Sequence, residues 1–243
     1  MCGICGVVGE NREADGDRLL GGMLHTIVHR GPDGEGRLVR PGVALGMRRL
    51  AIIDLAGGGQ PIHNEDGTIG VVFNGEIYNF RELRTELEAA GHRFATRSDT
   101  EVLVHGYEEW GDGLMDHLAG MFAFALLDEN TGRTLVARDR FGKKPLYYAW
   151  RDGRLLIASE IKALLAAGVS ADLDDDALEA YLALRYVPAP ATLFRSVRQL
   201  PAGHAMSVDA SGLEIRRWWR LAYGPKSVVE LREAADEVER LMR

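Results

Sequence analysis

The chain has 243 residues, 46% hydrophobic and 27% charged, enough apolar material for the core of one large domain or two small ones. Its 36 acidic and 29 basic residues give a formal charge of −7, which argues against general affinity for nucleic acid or an anionic membrane. There is no apolar run of about 18 residues to predict a transmembrane helix, no charged flank and apolar core of a secretory signal, and only two cysteines, a usage that fits a reducing cytoplasm.

In chain order, CGICGVV at 2–8 is short, small and apolar and predicts a buried strand. Leu19, Leu20, Met23, Leu24 and Ile27 recur at helical spacing and predict a helix over 17–29. RGPDGEG then reads as a loop, VALGMRRLAIID as one or two strands, and AGGGQP as a turn. IGVVFNGEI reads as a strand that ends at Asn-Gly, a strong turn signal. Residues 80–91 predict a helix with Leu83 and Leu87 on one face and a stop at Gly91, and Thr100 to Glu109 a further helix. MFAFALLD, RTLVARD, PLYYAW and RLLIAS are four short apolar strands with close turns, so antiparallel pairing is expected. EIKALLAAG follows as a short helix.

Strands in two groups with helices between them predict two antiparallel sheets packed face to face and covered by helices. Beyond about residue 172 the chain reads as connective: a capped helix in DLDDDALEAYLALRY, an extended VPAPATLF, and paired strands LPAGHAMSV and LEIRRWW around an SG turn. The last segment has Ser227 as a prospective N-cap and an apolar stripe of Val228, Leu231, Ala234, Ala235, Val238 and Leu241. Such a stripe is what a helix leading into a further domain, or pairing in a homodimer, would carry.

Cys2 becomes the first residue if Met1 is removed. A free α-amine has a reference pKa of ~7.7–8.0 against ~10.4 for lysine, so it is partly neutral near pH 7 and can serve as base toward its own thiol. A retained Met1 acylates that amine. Two rival readings use Cys2-x-x-Cys5. A redox dithiol is disfavoured because residues i and i+3 of a strand face opposite ways. A zinc site with His25 and His29 has 19 residues between Cys5 and His25, wider than the usual ~12–15. The bland reading makes Cys5 core packing and both histidines ordinary helix residues.

MCGICGVVG at the start, HRGPDG at 29–34, RRLAIIDL at 48–55, QP at 60–61, FNGEIYN at 73–79 and RSDTE at 97–101 together resemble the class II glutamine amidotransferases. GMFAFALLD at 120–128, DRFGKKPLYY at 139–148 and SEIKAL at 159–164 continue the resemblance, which runs in one register from Met1 to about Trp219. RGPD with RLAIID, QP and NGEIYN resembles the asparagine synthetase branch; KKPLYY and VPAPATLF also resemble paralogues from bacterial polysaccharide clusters.

The resemblance implies an α+β fold, a four-layer α/β/β/α sandwich of two antiparallel sheets of the N-terminal-nucleophile hydrolase type. It implies that Cys2 attacks the side-chain amide of L-glutamine, with the Asn74 side chain and Gly75 N–H as the oxyanion hole. Arg49 would hold the substrate α-carboxylate, Glu76 and Asp99 the α-ammonium, and the backbone near Leu50 and Ile52 the rest of the pocket. Each has a bland counterpart: Arg49 a surface residue beside Arg48, Asp99 a helix cap, Asn74-Gly75 a hairpin turn. Arg30, Asp33 and Lys143 belong to the motifs but are explained as readily by loop structure. No metal and no cofactor is expected within the chain.

The departure from the family lies at the other end. An SGG-x-DS phosphate-binding loop is absent; AGGGQP lacks the Asp-Ser and DASGLE has one glycine. Residues 1–220 are therefore expected to form a glutaminase domain and 221–243 a linker and first helix leading to a synthetase domain outside this chain, where ATP and Mg belong. Three functions stay open: a glutaminase serving asparagine synthesis, one feeding another acceptor such as a polysaccharide, and a non-catalytic glutamine-binding or docking module.

Overall fold

Alternation along the strands builds the architecture, because a residue and its neighbour point to opposite faces of a sheet. The computed structural model describes residues 2–9, 13–55, 57–224 and 228–242; the expectations for Met1 and for a Ser227 cap lie outside them. The strands are β1 Gly3–Val8, β2 Gly34–Arg40, β3 Val43–Arg49, β4 Ile62–His63, β5 Ile69–Ile77, β6 Gly120–Asp128, β7 Arg133–Arg138, β8 Tyr147–Arg151, β9 Arg154–Ala158, β10 Arg198–Gln199, β11 His204–Asp209 and β12 Gly212–Arg217. The helices are α1 Glu13–Thr26, α2 Phe80–Ala90, α3 Val102–Trp110, α4 Leu114–His117, α5 Ile161–Ala166, α6 Asp175–Leu184 and α7 Leu231–Met242.

The strands form two six-stranded antiparallel sheets, ordered β10-β8-β9-β1-β3-β2 and β12-β11-β7-β6-β5-β4. Three apolar clusters mark the three interfaces between layers. Ile4 and Val8 of β1, Leu45 and Met47 of β3, Val72 of β5 and Ala123 and Ala125 of β6 meet between the sheets. The alternate residues Cys5 and Val7 pack outward on Leu20 and Leu24 of α1 and Leu164 of α5. Val71 and Phe73 of β5 and Phe122 and Phe124 of β6 pack outward on Leu83 and Leu87 of α2 and Leu103 of α3. The result is the expected four-layer α/β/β/α sandwich.

Several local expectations need correction. RGPDGEG does not stay a loop, because Gly34 already pairs with Arg49 in β2. Asn74-Gly75 is not a turn: β5 runs through it, and Gly75 sits opposite Phe122, where a Cβ would lie 2.3 Å from Met121 O. The cue that favours a hairpin is overridden because only glycine admits β6 this close. The two sheets are not the two strand groups of the sequence either; the first sheet draws on both the early strands and β8 to β10. The strands expected around the SG turn do pair, as β11 and β12, and with β10 they extend the two sheets and are more than connection. α7 carries the expected stripe from Leu231 onward, with Val228 before its start, and Leu231, Val238 and Leu241 are exposed.

Candidate active site

The alternation that fills the gap between the sheets also delivers polar groups to its end. Continuing the inward positions of β1 (Ile4, Val8) backward gives Cys2, and continuing those of β3 (Leu45, Met47) forward gives Arg49. On β5 the positions after inward-facing Val72 are Asn74 and Glu76. All four line one cavity of about 290 Å³, with Leu50, Ile52, Gly75 and Asp99. Every site residue expected from the sequence therefore reaches a single place. Arg48, one residue off in parity, faces the other way and is hydrogen-bonded to Leu24 O and ion-paired with Glu35.

Cys2 is half-buried and its sulfur is held by β3: Leu50 N–H donates to Sγ at 3.3 Å and Sγ lies 3.6 Å from Leu50 O. Arg30 Nε donates to Cys2 O at 2.9 Å while Nη1 donates to Glu160 Oε1, also at 2.9 Å. Asp33 accepts from Ala51 N–H at 2.9 Å. These two motif residues thus fix the segments that carry Cys2 and Leu50. Lys143 N–H donates a hydrogen bond to Asp139 Oδ1 at 3.0 Å.

Asn74 is 1% exposed, yet its Nδ2 has no hydrogen-bond partner among the described residues. A buried N–H left unpaired costs about 1–3 kcal/mol, so a donor kept in this state beside a cavity is arranged for something that enters it. Asp99 does not cap the following helix; Ser98 does, accepting from Thr100 N–H, while Asp99 Oδ2 accepts from Ile77 N–H at 2.9 Å. Burial pushes the Asp99 carboxyl above the usual carboxylate range; the Ile77 amide opposes this and the neighbouring Glu76 charge adds to it. Two carboxyl groups whose charges oppose each other across a cavity wall form a natural seat for a cation.

Arg49 is more engaged than expected. Its Nη1 donates to Leu55 O at 3.1 Å and its Nη2 to Ile53 O at 3.1 Å and Asp54 O at 2.6 Å, so three of five donors hold the adjoining loop. Ile52 on that loop is 73% exposed.

Gln60 and Lys144 are among the lining residues that were not assigned a role from sequence, though both stood in quoted motifs. Gln60, of QP, accepts from Phe73 N–H at 2.7 Å and donates to Thr100 Oγ1 at 3.3 Å. Lys144, the second lysine of KKP, is buried; desolvation lowers its pKa and the neighbouring Cys2 opposes that shift. The loop bearing it is built on Asp139, which accepts from the amides of Phe141, Lys143 and Lys144, and on Arg138, which donates to Lys144 O, Gly142 O and Leu200 O.

Residues 1–219 match the family model described as a glutamine amidotransferase domain. Among curated relatives, asparagine synthetase [glutamine-hydrolyzing] 1 of Bacillus subtilis is 40% identical over 244 residues, covering 96% of this chain and 39% of that protein. A putative asparagine synthetase [glutamine-hydrolyzing] of Mycobacterium tuberculosis is 41% identical over 214 residues, covering 82% of this chain and 33% of its own length. The chain thus spans well under half of these relatives. Of solved structures, glutamine phosphoribosylpyrophosphate amidotransferase from B. subtilis superposes with a TM-score of 0.68 at 22% identity, over 90% of this chain and 49% of that one, a likeness of fold.

Proposed function

Since this chain belongs to the glutamine amidotransferase domain family, we propose that it hydrolyses free L-glutamine to glutamate and ammonia through a thioester on Cys2. The observation that carries this reading is the partnerless Asn74 Nδ2 on the wall of the cavity that Cys2 also lines. With Met1 removed, the Cys2 α-amine takes the thiol proton and Sγ bonds to the amide carbon. The resulting oxyanion receives hydrogen bonds from Asn74 Nδ2 and Gly75 N–H. Collapse breaks the C–N bond, and the proton held by the amine leaves with ammonia. Water then adds to the thioester, giving glutamate and restoring the thiol.

Specificity for the free amino acid follows from its two charges. Arg49 takes the α-carboxylate with the donors its loop leaves over. Glu76 and Asp99 take the α-ammonium, and that pair rejects an acylated amine. Leu50 and Ile52 complete the pocket through their backbone.

The destination of the ammonia is an ATP-dependent amidation of aspartate in a synthetase domain outside this chain, the reading favoured by relatives named as glutamine-hydrolysing asparagine synthetases. ATP and Mg act there and not in this sandwich. No helix among the described residues is long and apolar enough to cross a membrane, and a cytoplasmic site of action suits the substrate.

The test is a mass spectrum of the chain before and after incubation with 6-diazo-5-oxo-norleucine, a glutamine-like electrophile. The expected result is a chain lacking Met1 that gains one adduct at Cys2, blocked by glutamine but not asparagine. Full glutaminase activity in Cys2→Ala would overturn the mechanism.

A further inference from the structure

The structure holds a second cluster of chemistry-bearing side chains, on the outer helical layer away from Cys2. Glu65 lies in the β4–β5 connection, His92 follows the Gly91 cap of α2, and His105 and Glu108 share one face of α3 at i and i+3. We propose that these four residues bind a divalent transition-metal ion, zinc foremost, which clips the β4–β5 connection and the end of α2 to α3.

Distances support this first. A tetrahedral ion with bonds of about 2.0–2.1 Å has ligand atoms about 3.3 Å apart along each edge. His105 Nδ1 lies 3.3 Å from Glu108 Oε2 and 3.4 Å from Glu65 Oε2. His92 Nδ1 lies 3.6 Å from Glu108 Oε2 and 3.8 Å from Glu65 Oε1. One ligand atom from each of the four falls within 4.8 Å of all the others. The shortest edges already match an ion's coordination sphere, and the longer ones, all within 4.8 Å, must contract around it.

The surrounding groups aim the ligand atoms. The His105 side chain is 1% exposed and its Nε2 makes no hydrogen bond, but faces Glu101 Oε1 at 3.5 Å. Nδ1 hydrogen-bonds Glu108 Oε2 at 3.3 Å; an ion that displaces that proton, with Glu101 holding the proton on Nε2, makes Nδ1 a ligand as in carboxylate–histidine–metal arrangements. Glu101 is itself fixed in place, accepting from the Ala95 and Thr96 amides and from the Thr96 hydroxyl at 2.6–2.7 Å. Asn64 Nδ2 donates to Glu108 Oε1 and Arg93 N–H to Glu65 Oε1, both at 2.8 Å, which leaves Oε2 of each turned toward His105.

Charge supplies the remaining argument. Glu65, Glu101 and Glu108 converge on one imidazole pair, and among the described residues none of the three is ion-paired to lysine or arginine. A dication meets that excess. Two imidazoles with two carboxylates suit zinc, whereas magnesium and calcium prefer all-oxygen sites. Exposure grades from His105 at 1% through His92 at 15% and Glu108 at 26% to Glu65 at 39%, so the cluster is closed inward and open to an entering ion outward.

The ion would be structural. Asp99 and Thr100 line the cavity beside Cys2, and the adjacent Glu101 ties their turn to His105. A metal here departs from the sequence expectation of none, which weighed only the cysteines, His25 and His29. Those do not gather: Cys5 is buried in the α1 layer, and His29 pairs with Glu160.

The test is calorimetric titration of the tag-free, chelator-treated chain with zinc near neutral pH, repeated with cobalt under visible spectroscopy. One saturable site per chain is expected, with the intense d–d absorption of four-coordinate cobalt. His92→Ala and Glu65→Gln, both on the open side, should each weaken binding by more than the ~10–100-fold typical of an outer-shell change. Zinc at a hundredfold excess over Kd should raise Tm by about 5–10 °C. Absence of saturable binding to the wild-type chain, or equal binding by both variants, overturns the proposal.

Discussion

Replacing Asn74 with alanine separates the roles of fold and chemistry in one substitution. Its Nδ2 has no hydrogen-bond partner among the described residues, so truncation breaks no bond seen at that nitrogen. Relief of a buried unsatisfied donor returns about 1–3 kcal/mol, and the packing forfeited with the amide group costs a similar amount. The two nearly cancel, so Tm should move by no more than about 2–4 °C, the shift for ~1 kcal/mol in a domain of this size. Turnover should respond very differently. Loss of one preorganised oxyanion donor costs about 2.7–4 kcal/mol in the transition state, or about 100- to 1,000-fold in kcat. KM should change little, because the donor is aimed at charge that develops during reaction. Steady-state glutaminase assays paired with a thermal melt decide it. An Asn74→Ala chain with wild-type kcat refutes the oxyanion role, and one whose kcat falls only alongside a large loss of Tm makes Asn74 a structural residue.

The pH dependence of glutamine binding should report Asp99. Its carboxyl is raised by burial, so it takes up a proton at higher pH than an ordinary aspartate and loses its hold on the substrate ammonium there. KM should therefore begin to rise, on acidification, above the ~3.9 of a free aspartate; a KM profile identical in wild type and Asp99→Asn would remove Asp99 from the site. Arg138→Met should destabilise strongly, by about 3 kcal/mol or more, since three carbonyls lose a charged donor. Urea unfolding checks this, and a change below about 1 kcal/mol would mean those bonds are replaced by water.

Much of the fold was legible because strand patterning is a local property. β1, β3, β5 and the run from β6 to β9 follow apolar stretches and turn residues that stand in the sequence. What pairing those strands adopt was not legible, since β1 joins β9 across some 150 residues and nothing local records it. Asn74-Gly75 misled for the same reason: the dipeptide favours a turn in isolation, and only the approach of β6 explains why glycine is needed in mid-strand. The eight site residues were gathered from ordered motifs and all reach one cavity, but Gln60 and Lys144 had no assigned role because their importance depends on which way a loop folds. The histidine–glutamate cluster was invisible for a further reason. Its four members sit on three separate segments with no regular spacing, so only the packing of α3 against the β4–β5 connection brings them together.

Arg49 shows how the same alternation that makes the site also constrains it. Inward parity on β3 puts its guanidinium at the cavity, but the chain leaves the sheet immediately afterward and folds three carbonyls, Ile53, Asp54 and Leu55, onto it. The loop is in turn anchored at Asp54, which accepts from Gly57 N–H and, across the cavity rim, from Arg97 N–H, both at 2.9 Å. Arg97 lies two residues before Asp99. One guanidinium thus orders the loop that shapes the pocket, and the loop links the Arg49 side of the cavity to the segment that carries Asp99. A lysine at 49 keeps the charge but has three donors on a single nitrogen and no planar fork, so it cannot hold three carbonyls and a carboxylate together. The loop itself therefore calls for arginine at 49, whatever that residue binds in the cavity.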